Sequence, residues 1–263
     1  MDQGSTQGRR DRHDALDQVL DQMQARLDGP LSGPTPRRTF LRTYQRTTQA
    51  VAEAMRTGLF EDDEWVRRWD VAFAKLYLDA LDADLSGDRS SVSRPWRAAF
   101  DAPARLPALV HLLLGINAHV NYDLPQALLA VIPDADFAHA GLMERRRRDH
   151  ERIDGVLASR VSAEDAELAA ATGRSLLDRL LVPLNRLSSR RFLAEARRKV
   201  WHNTRELQAA RAAGPQQYGE RLAELELLSA AKIADLLQPG QVLIKLGLAG
   251  FGVTLPPPRE TDR

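Results

Sequence analysis

His119 and Asp123 stand four residues apart inside the most apolar stretch of the chain, LVHLLLGINAHVNYDLPQALLAV from Leu109 to Val131. In a helix that spacing puts both side chains on one face. An imidazole and a carboxylate so placed can share a divalent cation or bond to each other. Polar groups in a helix that is apolar nearly all round need partners of one kind or the other. The spacing recurs at His150 and Asp154, with Met143, Ile153 and Leu157 on the same face. Asp70, beside Val66, Phe73 and Tyr77 on a helical wheel, adds a carboxylate from a third segment. Asp70, His119, Asp123, His150 and Asp154 are therefore the candidate ligands for zinc, manganese or iron, and an ion held there would activate a water. His202, in Lys199-Val-Trp-His-Asn203, is the candidate acid–base group. The competing reading uses the same residues structurally. Asp123 then caps a segment restarted by Pro125, His119 is a hydrogen-bonded core histidine, and His150 with Asp154 is a surface pair.

Other chemistries are excluded by what the chain lacks. It has no cysteine, which rules out disulfides, thiolate nucleophiles, iron–sulfur clusters and cysteine zinc sites. It has no Glu-x-x-His pair, no Gly-x-Ser-x-Gly elbow and no Gly-Lys-Ser/Thr phosphate loop. The basic run Arg145 to Arg148 has no interleaved aromatics and the net charge is only +1, so no nucleic-acid partner is expected. The apolar run from Val242 to Leu255 is broken by Lys245 and glycines and is too short to span a bilayer. With no secretory signal in the first residues and no cysteine, a cytoplasmic location is expected.

The elements that must position these residues read as helices throughout. The 263 residues are 43% hydrophobic and 28% charged, a globular balance rich in helix formers. Stripes at helical spacing run through Leu16, Val19, Leu20, Met23 and Leu27, through Phe40, Leu41, Tyr44, Val51 and Met55, and through Trp65, Trp69, Phe73, Leu76, Tyr77 and Leu81. Thr35-Pro36 marks a helix start, and Gly29-Pro30 and Gly214-Pro215 mark helix ends. Leu85 to Pro103 reads as a polar loop with a short aromatic insert around Trp96. Pro125 must kink or restart the central helix near Asp123. Further helices are expected over 136–159, 176–187, 189–212 and 218–237. The fold class is all-α, a single-domain bundle of about eight helices around a buried central one. Residues 1–10 form a disordered N-terminus, 11–240 the helical domain and 241–263 a Gly/Pro-rich tail.

The run Leu-Leu-Gly115-Ile-Asn117-Ala-His119-Val-Asn121-Tyr-Asp123-Leu-Pro125 resembles the signature of a mainly actinobacterial family of unknown function, DUF 5995. Trp69-Asp70-x-x-Phe73-Ala74-x-x-Tyr77 and Ala196-Arg-Arg-Lys-Val-Trp201-His202-Asn203 resemble its other recurring pieces. The resemblance covers about 39–237 and implies no established activity. Locally, His119, Asp123 and Pro125 are also similar to the zinc-dependent phospholipase C and single-strand nuclease superfamily. That likeness implies zinc chemistry, although the histidine that follows the proline there has no equivalent here. Two functions stay open: a metal-dependent hydrolase acting on a small-molecule ligand, and a non-enzymatic helical structural or interaction module. The oligomeric state is not legible.

Overall fold

The computed structural model describes residues 4–153, 155–156, 186–238 and 250–258, and among these the chain is helical with no strand. Helix α1 spans Gly4–Asp28, so it takes in most of the residues 1–10 expected to form a disordered N-terminus. Helix α2 spans Pro36–Arg56 and begins as the Thr35-Pro36 pair predicts: the Thr35 hydroxyl accepts from the Arg38 amide at 3.1 Å. Helix α3, Asp63–Ser86, is capped by the Asp62 carboxylate on the Trp65 amide and ends at Gly87, whose φ of 81° suits only glycine readily. The aromatic insert in the expected loop forms a short helix, α4, at Arg94–Phe100.

The central stretch begins as α5, Ala108–Ala118, passes through one wide π turn, His119–Asp123, and continues as α6, Leu124–Val131. The π turn is the physical answer to Pro125. Proline supplies no amide hydrogen, and its ring presses on the carbonyl four residues back, that of Asn121. Here the Leu124 amide bonds five residues back to the carbonyl of His119, which absorbs the misfit without ending the helix. A 3-10 turn, Asp134–Ala138, precedes α7 at residues 140–153. Helices α8, Arg186–Ala213, and α9, Pro215–Leu237, are separated by Gly214 alone at φ 144°. The expected apolar helix over 176–187 lies almost wholly outside the described residues. No helix among the described residues is long and apolar enough to cross a membrane.

The central segment is enclosed on every side. The α5 helix packs on α2, α4 and α9; the π turn touches α3, α8 and α9; α6 lies against α3 and α8. Leu114, Ala118, Leu124, Ala127 and Leu128 are fully buried, as the apolar pattern predicts for a central helix. The approach of α2 depends on Gly115. A Cβ at this position would stand 2.5 Å from Cδ2 of Phe40. Phe40 has little room to yield, because its ring packs edge-on against Tyr77 and Trp96. Gly115→Ala therefore sets a helix-propensity gain of about 1 kcal/mol against an overpacking cost of about 1–3 kcal/mol. The expected net result is a destabilisation of about 1 kcal/mol, read from urea unfolding. An unchanged or raised midpoint would show that the two helices do not meet this closely.

Candidate functional site

The π turn puts His119 and Asp123 side by side. His119 Nδ1 lies 2.8 Å from Asp123 Oδ2, and the same oxygen accepts a 2.8 Å bond from the indole N–H of Trp96 on α4. Asp123 spends its carboxylate on these two donors and makes no side-chain cap for α6, so the capping role expected for it is overturned. His119 and Asp123 are only 4% and 2% exposed. The imidazole is stacked on Phe73 with ring centres 3.5 Å apart and planes 5° from parallel, and Tyr44 meets it edge-on at 4.7 Å. Phe40, Tyr77 and Trp96 complete an aromatic shell around it.

Burial governs the charge states inside this shell. It lowers the pKa of His119, against the pull of Asp123, and so favours the neutral imidazole. It raises that of Asp123, which the bonds from His119 and Trp96 hold down. A neutral imidazole facing a carboxylate keeps its proton on Nδ1, leaving the Nε2 lone pair open. That Nε2, with Tyr44 Oη, Thr48 Oγ1 and Asp70 Oδ2, is buried without a hydrogen-bond partner among the described residues. Thr48 is near enough to ease the ionisation of Tyr44, without hydrogen-bond geometry. Tyr44 is pushed well above its ordinary range, first by burial and then by the charges of Asp70 and Asp123. Burial alone carries Asp70 up to about 7.

The remaining candidates are dispersed. His150 is wholly buried between Trp69 and Trp201, 6.3 and 5.7 Å from the two rings, with both nitrogens lacking a hydrogen-bond partner among the described residues. Burial and then the charge of Arg197 hold it well below the ordinary histidine range. Asp154 lies outside the described residues, so the second His–Asp pair is not seen. His202 is exposed and bonds through Nε2 to the Leu255 carbonyl at 3.2 Å. Among the described residues no group of three or more His, Asp or Glu side chains is arranged to hold a metal ion. An open groove of about 750 Å³ between α1, α2 and α3, lined by Leu16, Leu20, Met55 and Asp63, does not include His119 or Asp70.

Several working residues escape a reading of the sequence. Trp96 is one: its pairing with Asp123 bridges 27 positions, and the only signal was an aromatic insert in a polar stretch. Asp149 is another. Fully buried, it accepts the Glu61 and Asp62 amides, each at 2.9 Å, and the Arg152 guanidinium at 2.7 Å, and so caps the start of α3 from α7. The neighbouring run Arg145 to Arg148 is matched to acids, with Arg146 buried and Arg148 still exposed. Arg146 pairs with Asp136 at 2.7 Å and lies over Trp65; Arg148 pairs with Glu61 at 2.8 Å. A third set, Asn117, Asn121 and Asn203, holds the extended segment 250–258 by its backbone.

The buried ionisable groups have opposite effects on stability. Asp70 binds a proton in the folded state up to about pH 7, where the unfolded carboxyl, with its ordinary value of 3.8, has lost it. Its contribution is therefore complete below the unfolded value and is lost as the pH rises through 7. His119 and His150, held neutral in the fold, act the other way and cost stability below the ordinary histidine range. Asp70→Asn removes the first effect and leaves the second. The parent's stability relative to Asp70→Asn should decline between about pH 4 and pH 8, measured as urea midpoints at each pH. Parallel profiles would contradict a protonated Asp70 in the core.

The model of a family of unknown function, DUF5995, matches residues 16–239. That span contains the aromatic shell, Asp70, His119, Asp123, His150 and His202. No curated protein and no solved structure matches the chain. With most of its length under one family model, the chain belongs to DUF5995.

Proposed function

We propose that this protein is a non-enzymatic helical interaction module in which Trp96, Asp123 and His119 form the hydrogen-bond node of the core. One observation carries the reading: two donors from separate elements converge on a single carboxylate oxygen inside a closed aromatic shell. A buried carboxylate costs several kcal/mol unless its oxygens are satisfied. The node provides that satisfaction and ties α4 to the central segment. The chain is read as cytoplasmic, which its lack of cysteine supports.

A metal-dependent hydrolase is the second reading, and one observation favours it. His119 Nε2 and Asp70 Oδ2 are both buried with no hydrogen-bond partner among the described residues, as open ligand positions would be. The local likeness to the zinc-dependent phospholipase C and nuclease superfamily at His119, Asp123 and Pro125 supports the same view. In that reading His119 and Asp70 would hold zinc, manganese or iron, Asp123 would orient the imidazole, and the ion would supply an activated water for hydrolysis of a small-molecule substrate.

Metal content and unfolding of the parent and of His119→Ala separate the two. The structural node predicts no stoichiometric metal, no shift of the melt with added zinc, manganese or iron, and a loss of about 1–3 kcal/mol in His119→Ala. Stoichiometric metal in the parent, lost in His119→Ala with the metal-free stability unchanged, would overturn it.

A further inference from the structure

Residues 251–258 follow the left-handed Gly250 without regular secondary structure and lie across the π turn, α8 and α9, held by side chains and not by a sheet. Asn121 donates its amide to the Phe251 carbonyl at 3.1 Å and accepts the Val253 amide at 3.2 Å. Two residues on, Asn203 repeats the pattern: it donates to the Val253 carbonyl at 3.0 Å and accepts the Leu255 amide at 2.9 Å. Asn117 adds a 3.2 Å bond to Phe251, Lys199 a 3.0 Å bond to the Gly252 carbonyl, His202 its bond to Leu255, and Arg221 one to the Pro256 carbonyl. An extended backbone repeats every two residues, so two bidentate asparagines in step read it without reference to side chains.

Side-chain pockets supply the selectivity. Phe251 joins the main core, and Leu255, 1% exposed, is enclosed by Leu129, Leu207 and Leu225. Between these anchors, Thr254 faces solvent. Gly252 crosses α8 so closely that a Cβ would stand 2.8 Å from Lys199 Cδ and 3.3 Å from the Ala196 Cα. The groove thus takes a large apolar residue, then glycine, an aliphatic residue, any residue and leucine. Main-chain hydrogen bonds for affinity and alternate side-chain pockets for selectivity are the logic of extended-peptide recognition. The receptor residues all lie within the span matched by the family model, residues 16–239, and the occupant lies beyond it.

We propose that this groove is a binding site for an extended, uncharged apolar peptide, and that residues 250–258 are an internal ligand occupying it in place of a partner's segment of the same pattern. The proposal deepens the interaction-module reading by naming the partner's chemistry, and it rests on that reading. The probe is a fluorescent synthetic peptide with the sequence of residues 250–258, added to the full chain carrying Phe251→Ala and Leu255→Ala. Saturable one-to-one binding is expected, weakened about tenfold or more when the peptide is N-methylated at the Val253 and Leu255 positions. N-methylation removes the two donors without altering the protein. Absence of binding to a variant with the parent's circular dichroism, or equal binding of the methylated peptide, would overturn the proposal. If the double variant does not fold, hydrogen exchange in the parent decides. Opening of the Val253 and Leu255 amides well before the core amides of α3 is expected. Exchange of these amides only through global unfolding would overturn the idea. These readouts do not involve metal content or His119, so their failure is distinguishable from failure of the core-node reading.

Discussion

The structure depends on how one carboxylate is buried. Asp123 sits at the centre of the bundle, where an ionised oxygen without donors costs more than any single helix contact returns. Its solution is local and long-range at once: His119 from its own turn and Trp96 from α4 both donate to Oδ2. The aromatic side chains of α2, α3 and α4 then close over the imidazole, with Phe73 stacked on its face. Removing any donor leaves a buried charge short of a partner, so these elements are held to one arrangement.

The same π turn that presents His119 and Asp123 to the aromatic shell also presents Asn121 to the extended segment. Pro125 leaves the Asn121 carbonyl without its usual donor, which an ordinary α-helix would have to tolerate. The extra residue in the turn accommodates this. Core node and peptide groove therefore share the five residues of this turn. Two other buried acids show how much donors matter. Asp149, with two backbone amides and Arg152 as partners, caps α3. Asp70 has an oxygen with no partner among the described residues, and burial carries its pKa up to about 7.

The all-α class, the main helices and the inward burial of His119 and Asp123 are legible in the sequence because they follow from local periodicity. Gly115 as a point of close approach and Pro125 as a disturbance are legible for the same reason. The form of that disturbance is not, since a kink, a break and a π turn all satisfy a missing amide. Pairings between distant segments are also invisible: Trp96 to Asp123, Asp149 to the start of α3, and Asn203 to Leu255 join residues with no common period. The segment at 251–255 did carry a signal, apolar residues at every second position. Read as a Gly/Pro-rich tail, its glycines obscured the alternation. Gly252 is in fact part of the docking, because a Cβ there would crowd Lys199 and Ala196 of α8.

The central claim is that His119 is a neutral Nδ1–H donor to Asp123 within a buried aromatic shell. Nitrogen-15 chemical shifts of the imidazole, followed from about pH 8 down to pH 5, test it most directly, since an ordinary histidine titrates near 6.5. The account predicts a protonated Nδ1 and a bare Nε2 across that range, with the Trp96 indole proton slow to exchange. A histidine that titrates at its ordinary value, or one that carries its proton on Nε2, would contradict it.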